Sequence, residues 1–163
     1  MDKQIMSIQI GDSIPNATVN YLQDGVQAVN TTEFFQGRKV VLFAVPGAFT
    51  PTCSAKHLPG YISAIEAFTA KGYIVACLSV NDAFVMSAWA KNHDTPNDIH
   101  MLADGNADFT KALGLELDAT AFGMGIRAKR FALVADNGKV TQLFIEAPGE
   151  FEVSSAEYVL SAL

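Results

Sequence analysis

Cysteine is scarce in this chain: there are two, Cys53 and Cys77, and no Cys-x-x-Cys pair. A disulfide framework is therefore not expected, and the second thiol that a dithiol oxidoreductase needs is missing. Basic residues are few as well, with 11 Lys and Arg scattered among 163 residues against 17 Asp and Glu, for a formal net charge of −6. Such a chain repels a nucleic-acid backbone, so nucleic acid is not an expected partner. No apolar run approaches the length needed to cross a bilayer, and Met1-Asp2-Lys3-Gln4-Ile5-Met6-Ser7 lacks the apolar centre of a signal peptide. The expectation is a soluble, cytoplasmic protein with reduced thiols and no membrane partner. Linkers and composition shifts are absent too. With hydrophobic residues making up 50% of the sequence, residues 1–163 read as one domain with a substantial core.

What the chain does have is an apolar strand that runs into a cysteine. Lys39-Val40-Val41-Leu42-Phe43-Ala44-Val45 is β-branched and aromatic, too short for a helix, and closed by Pro46-Gly47. Thr50 is a good N-cap and Pro51 a good first helical residue, which puts Cys53 at the third helical position. A first-turn sulfur faces unpaired backbone N–H groups and the positive end of the helix dipole, both of which favour a sulfur anion. The Thr50 hydroxyl, three residues earlier, can turn toward that sulfur, although capping competes for the same oxygen. The alternative, a buried structural thiol, fits less well with the cap, the proline and the loop exit taken together. His57 stands four residues after Cys53 and can share its helix face, as a surface or pocket-wall residue. A zinc site would need more ligands, and Cys77, His93 and His100 show no ligand-like spacing, so no metal is expected.

The rest of the chain supplies an α/β frame. Thr18 to Leu22 and Val26 to Val29 flank Asp24-Gly25 and read as an N-terminal β-hairpin at a sheet edge. Thr32 to Phe35 forms at most one helical turn before Gly37. The helix carrying Cys53 continues to about Ala70, with Pro59-Gly60 kinking or restarting it. Tyr73 to Val80 is apolar on both parities, as in an interior parallel strand, and buries Cys77. Asn81 or Asp82 caps a helix from Ala83 to about Asn92, with Trp89 packing inward. A short strand near His100 to Ala103, a helix near Phe109 to Leu113 and the segment Gly123-Met124-Gly125 follow. Arg130 to Asp136 and Val140 to Ile145 read as a hairpin turning at Asn137-Gly138. A last helix starts near Ser154, where Ser154-Ser155-Ala156-Glu157 forms a capping box. The order fits an α/β thioredoxin-like fold with an added N-terminal β-hairpin.

At the cysteine, Pro46-x-x-x-Thr50-x-x-Cys53 resembles the peroxiredoxin signature. The longer string Val45 to Pro59 resembles the type II, peroxiredoxin-5-like subfamily, including its plant-type glutaredoxin-dependent members. The likeness continues through Val75 to Val85, Gly123 to Leu133 and Phe151 to Glu157. It implies the same thioredoxin-like fold and a homodimer whose contact lies beside the cysteine loop.

The resemblance also implies roles. Cys53 is the peroxidatic nucleophile, and Arg130, in Lys129-Arg130-Phe131, is the active-site arginine, with Arg127 the near alternative. Pro46 shields the reacting atoms from water. An arginine suits the task because it stays cationic and presents several donors without giving up a proton. The amides of Thr52 and Cys53 complete the donor set, and Phe49, Phe122 and His57 are candidate pocket residues, core packing being the ordinary role of a phenylalanine. The leading reading is a thiol peroxidase that reduces hydrogen peroxide and alkyl hydroperoxides through a sulfenic acid on Cys53. No cofactor is expected to be bound. Some relatives carry a resolving cysteine near the C-terminus, where this chain has Val153-Ser154-Ser155. The expected reductant is thus external, glutathione with glutaredoxin, or thioredoxin as the alternative. A non-catalytic redox sensor would differ by consuming peroxide only stoichiometrically.

Overall fold

The computed structural model describes residues 7–163, so most of the N-terminal stretch read for a signal peptide lies outside the described residues. The chain runs β1 (Thr18–Leu22), β2 (Val26–Asn30), α1 (Thr31–Phe35), β3 (Lys39–Val45), a π-helical turn (Cys53–His57), α2 (Leu58–Ala70), β4 (Tyr73–Ser79), α3 (Ala83–Asn92), β5 (Ile99–Ala103) and α4 (Asp108–Leu113). After these come β6 (Glu116–Asp118), a 3₁₀ turn (Thr120–Phe122), β7 (Ile126–Ala128), β8 (Phe131–Asp136), β9 (Lys139–Ile145) and α5 (Ala156–Ser161).

Seven strands form one mixed sheet in the order β2-β1-β5-β4-β3-β8-β9. β3, β4 and β5 are parallel, while β8 and β9 extend the sheet antiparallel on one side and β1 and β2 on the other. The N-terminal hairpin is at the edge, as its sequence suggests. Both hairpin turns use two consecutive left-handed residues, Asp24 and Gly25 (φ 54° and 98°) and Asn137 and Gly138 (φ 50° and 79°). That backbone matches the twist of the flanking strands, and Asn, Asp and Gly enter it most easily.

Every interior position of β3 is buried, so its alternation sorts residues between two cores. Val41, Phe43 and Val45 face Tyr61, Phe68, Met86 and Trp89; Val40, Leu42 and Ala44 face Phe35, Phe109 and Leu113. Phe43 stacks on Tyr61 at 3.9 Å between ring centroids, and Tyr61 on Phe68 at 5.5 Å. A fully buried phenylalanine contributes about 1.5–3 kcal/mol, so this column anchors α2 on the sheet beneath the cysteine.

Several local expectations are corrected. Thr50 does not cap the helix; its hydroxyl lies against the Gly47 carbonyl and the Cys53 sulfur. After an opening α-helical turn at Pro51 and Thr52, the helix widens into a π turn in which the Leu58 N–H reaches back to the Cys53 carbonyl. The widened turn is completed just ahead of Pro59, which has no N–H to give to the carbonyl four residues back and whose ring would crowd it. Proline is accommodated rather than breaking the helix. Of the two candidate caps for α3, it is Asp82 that serves, accepting from the Val85 N–H at 2.8 Å. Ser155, not Ser154, caps α5, and Arg130 lies one residue ahead of β8 rather than opening it. The small β6–β7 hairpin around Gly123-Met124-Gly125 was not anticipated.

Candidate active site

The loop after β3 is built to hold one sulfur. Pro46 ends the strand half-buried, and the Ala48 N–H is fixed by the Asn81 side chain at 3.0 Å. Gly47 is closely packed: a Cβ there would lie 3.1 Å from Thr50 Cγ2 and 3.2 Å from Arg127 Nη1, so those side chains would have to give way by a few tenths of an ångström. Phe49 takes a left-handed backbone (φ 66°), which a non-glycine residue adopts only under local constraint. The chain then reverses into the helix. The amides of Thr52 and Cys53 precede its first intrahelical bond, from the Ser54 N–H to the Thr50 carbonyl at 3.0 Å.

Cys53 is fully buried, not exposed as a first-turn residue was expected to be. Thr50 Oγ1 lies 2.8 Å from its Sγ and 2.7 Å from the Gly47 carbonyl oxygen. One hydroxyl proton cannot serve both acceptors together. With sulfur protonated, S–H donates to Oγ1 and Oγ1–H to Gly47; with sulfur ionised, Oγ1–H turns to the sulfur. Arg130 supplies the second side-chain donor, Nη2 at 3.1 Å from Sγ.

His57 fixes the other arm of that guanidinium. Its Nδ1 lies 2.8 Å from Arg130 Nη1 and its Nε2 lies 3.0 Å from the Ser154 carbonyl oxygen. Arginine can only donate and a carbonyl can only accept, so the imidazole is neutral, with the proton on Nε2. Burial and the adjacent Arg130 charge lower its pKa to about 3, against a smaller opposing effect from the Ser154 hydrogen bond. Phe43 and Phe151 enclose the imidazole, at 5.1 and 5.0 Å between centroids.

Cys77 sits on β4 opposite Phe43 and is fully buried. Burial, and then the Cys53 charge, push its thiol pKa well up. Among the described residues no group of three or more His, Cys, Asp or Glu converges on a common point. A cavity of about 920 Å³ lies away from the sulfur, between β1, β5 and α3. Phe34, Met86 and His100 line it, and it includes none of Thr50, Cys53, His57 and Arg130.

The chain, with its thioredoxin-like sheet, has close counterparts among known proteins. The Redoxin family model matches residues 9–160. Peroxiredoxin-2C of Arabidopsis thaliana is 48% identical over 159 residues, 96% of this chain and 98% of that one. The structure of reduced Prx3 from Vibrio vulnificus in complex with hydrogen peroxide superposes with a TM-score of 0.92 at 54% identity, over 95% of this chain and 98% of that one. The antioxidant protein of Plasmodium falciparum, a 1-Cys peroxiredoxin, matches with a TM-score of 0.87 at 29% identity, over 93% and 96% of the two chains. The chain is a type II peroxiredoxin.

This peroxiredoxin brings together Thr50, Cys53, His57 and Arg130 from the sequence-based set. Arg127 takes another position: Nε donates to the Met124 carbonyl at 2.9 Å and Nη1 to that of Val80 at 3.2 Å. It fastens the β6–β7 hairpin to the end of β4 and does not reach the sulfur by any hydrogen bond in the structure. Phe49 and Phe122 are 52% and 82% exposed, so neither belongs to the core. Sequence reasoning missed the roles of Glu146 and Ser154, which lie 93 and 101 residues beyond Cys53 and stand behind His57. Ser154 was visible only as a presumed helix cap, and Glu146 only as the first charge after an apolar strand.

Proposed function

We propose that this peroxiredoxin, a thiol peroxidase by family, uses Cys53 as its nucleophile and Thr50 and Arg130 as the donors that stabilise the transition state. The supporting observation is the pair of contacts to one sulfur, Thr50 Oγ1 at 2.8 Å and Arg130 Nη2 at 3.1 Å. The Cys53 thiolate attacks one peroxide oxygen; the S–O bond forms, the O–O bond breaks, and the departing oxygen leaves as water or an alcohol after taking a proton. Sulfur is oxidised to sulfenic acid and the peroxide reduced. Negative charge moves from sulfur to the departing oxygen, where fixed donors stabilise it without reorganisation. Pro46 keeps water from the reacting atoms, and the Thr52 and Cys53 amides add donors. The peroxide-bound relative from Vibrio vulnificus supports hydrogen peroxide as a substrate class.

The cycle is completed by an external thiol. A small thiol such as glutathione condenses with the sulfenic acid, releasing water and leaving a mixed disulfide, which glutaredoxin reduces by thiol–disulfide exchange. Burial of Cys77 in the sheet interior favours this one-cysteine cycle over an internal disulfide. The 1-Cys relative from Plasmodium falciparum supports it as well. Thioredoxin is the second candidate reductant, and a reducing cytoplasm is the compartment that suits either. Exposed Phe49, Phe84 and Phe122, with Phe49 on the cysteine loop itself, favour a homodimer contact beside that loop.

Peroxide turnover with glutathione plus glutaredoxin, compared with thioredoxin plus its reductase, tests both halves. Wild type is expected to turn over faster with the first pair, and Cys53→Ser with neither. Turnover retained by Cys53→Ser would remove Cys53 from the mechanism; a faster thioredoxin rate would reassign the reductant.

A further inference from the structure

Glu146 is a buried carboxylate that the peroxidase chemistry does not use. It follows β9 directly, and its own N–H donates to the Arg130 carbonyl at 3.0 Å. Its Oε2 collects three donors from the segment before α5: the Glu152 N–H at 2.7 Å, the Ser154 N–H at 2.8 Å and the Ser154 hydroxyl at 2.6 Å. Three donors converge on this one oxygen, and hydrogen bonds to a carboxylate are stronger than those to a neutral acceptor. The carboxylate thereby fixes Ser154, whose carbonyl accepts from Tyr61 Oη at 2.8 Å and from His57 Nε2 at 3.0 Å.

The consequence reaches the sulfur by steps that each permit one direction only. A fixed Ser154 carbonyl keeps the His57 proton on Nε2. Nδ1 is then a bare acceptor for Arg130 Nη1, and with that arm held, Nη2 is aimed at Cys53 Sγ. If Ser154 drifted, the imidazole proton could move to Nδ1, which would then oppose the guanidinium instead of accepting from it. Glu146 acts on Arg130 twice, through the backbone amide and, by way of Ser154 and His57, at the guanidinium. The carboxylate is buried, and among the described residues its side-chain hydrogen bonds all go to Glu152 and Ser154.

We propose that Glu146 is a positioning residue for peroxide reduction, setting the His57 tautomer through Ser154 and so the aim of Arg130 at Cys53. This rests on the peroxidase reading of Cys53, and its test is arranged to be decided separately. Nitrogen NMR of the His57 ring, in full-length protein labelled with ¹⁵N histidine, reports the tautomer; stopped-flow oxidation by hydrogen peroxide reports the rate. Glu146→Ala is expected to lose the fixed Nε2–H pattern and to slow Cys53 oxidation roughly tenfold to a hundredfold, the scale of a reacting group displaced from afar. Glu146→Gln, which keeps shape and one acceptor oxygen, should fall between Glu146→Ala and wild type in both readouts, and it carries the test if the alanine variant does not fold. Glu150→Gln, on the exposed part of the same segment, should match wild type in both. A wild-type rate in the Glu146 variants, or a slow rate with His57 still protonated only on Nε2, would overturn the relay. If wild type itself left peroxide unreduced, the peroxidase reading would fail, while the His57 spectra of the variants would still decide the relay.

Discussion

At Cys53 the two side-chain donors differ in kind: the Thr50 hydroxyl can exchange one acceptor for another, whereas Arg130 is a permanent cation with each arm assigned. Removing the cation should therefore cost more than removing a strut elsewhere on the same loop. Arg130→Gln is expected to slow peroxide oxidation of Cys53 by about 10²-fold or more, the scale of a lost oxyanion donor. Arg127→Gln, which loses only the Met124 and Val80 carbonyls, should do less. Stopped-flow rates give the ranking, and the reverse order would exchange the two arginines.

His57 carries a second prediction, for stability. Its folded pKa, about 3, lies below the ordinary value of 6.5, so between these limits the unfolded chain binds a proton that the native chain does not. Stability from this residue is therefore full above about pH 6.5 and lost as pH falls toward 3, at up to about 1.4 kcal/mol per pH unit. Urea midpoints between pH 7 and 4 should fall more steeply for wild type than for His57→Gln, which has no imidazole to protonate. Parallel slopes would mean that His57 is protonated in the native state too.

Among the elements, those with a strong period or a decisive turn were legible in the sequence. β3 and β4 announce themselves as continuous apolar runs, both hairpins carry Asp-Gly or Asn-Gly, and α3 begins at a capping aspartate. What sequence could not show were features fixed by tertiary partners. β6 and β7 are three residues each, too short for a period, and exist because they pair with one another. The π turn depends on how Pro59 fits behind Cys53. Thr50 resembles a cap in every local respect, and only the proximity of the sulfur and the Gly47 carbonyl redirects its hydroxyl. The β4–α3 connection shows the same dependence: Asn81 was a candidate cap, yet its side chain holds the cysteine loop through the Ala48 amide. Asn81→Ala should destabilise the fold by about 1–3 kcal/mol, the cost of leaving a buried donor unpaired. Cys53 oxidation should slow as well. A urea midpoint and a peroxide-oxidation rate both equal to wild type would show that the loop holds its shape unaided.

For the whole molecule, the sheet order carries the site's logic. β3 lies between β4 and β8, so the loop after β3 receives Asn81 from the end of β4 on one side and Arg130 from the start of β8 on the other. The 77-residue separation of Cys53 and Arg130 hides their contact in the sequence, and the antiparallel pairing of β3 with β8 creates it. The same order buries Cys77 within β4, which favours the proposed one-cysteine cycle. The most direct measurement is mass spectrometry of the intact, reduced chain after one equivalent of hydrogen peroxide with glutathione present. One glutathione on Cys53, with Cys77 unmodified, is the expected product; a dominant Cys53–Cys77 disulfide, or a Cys53 left unoxidised, would contradict it.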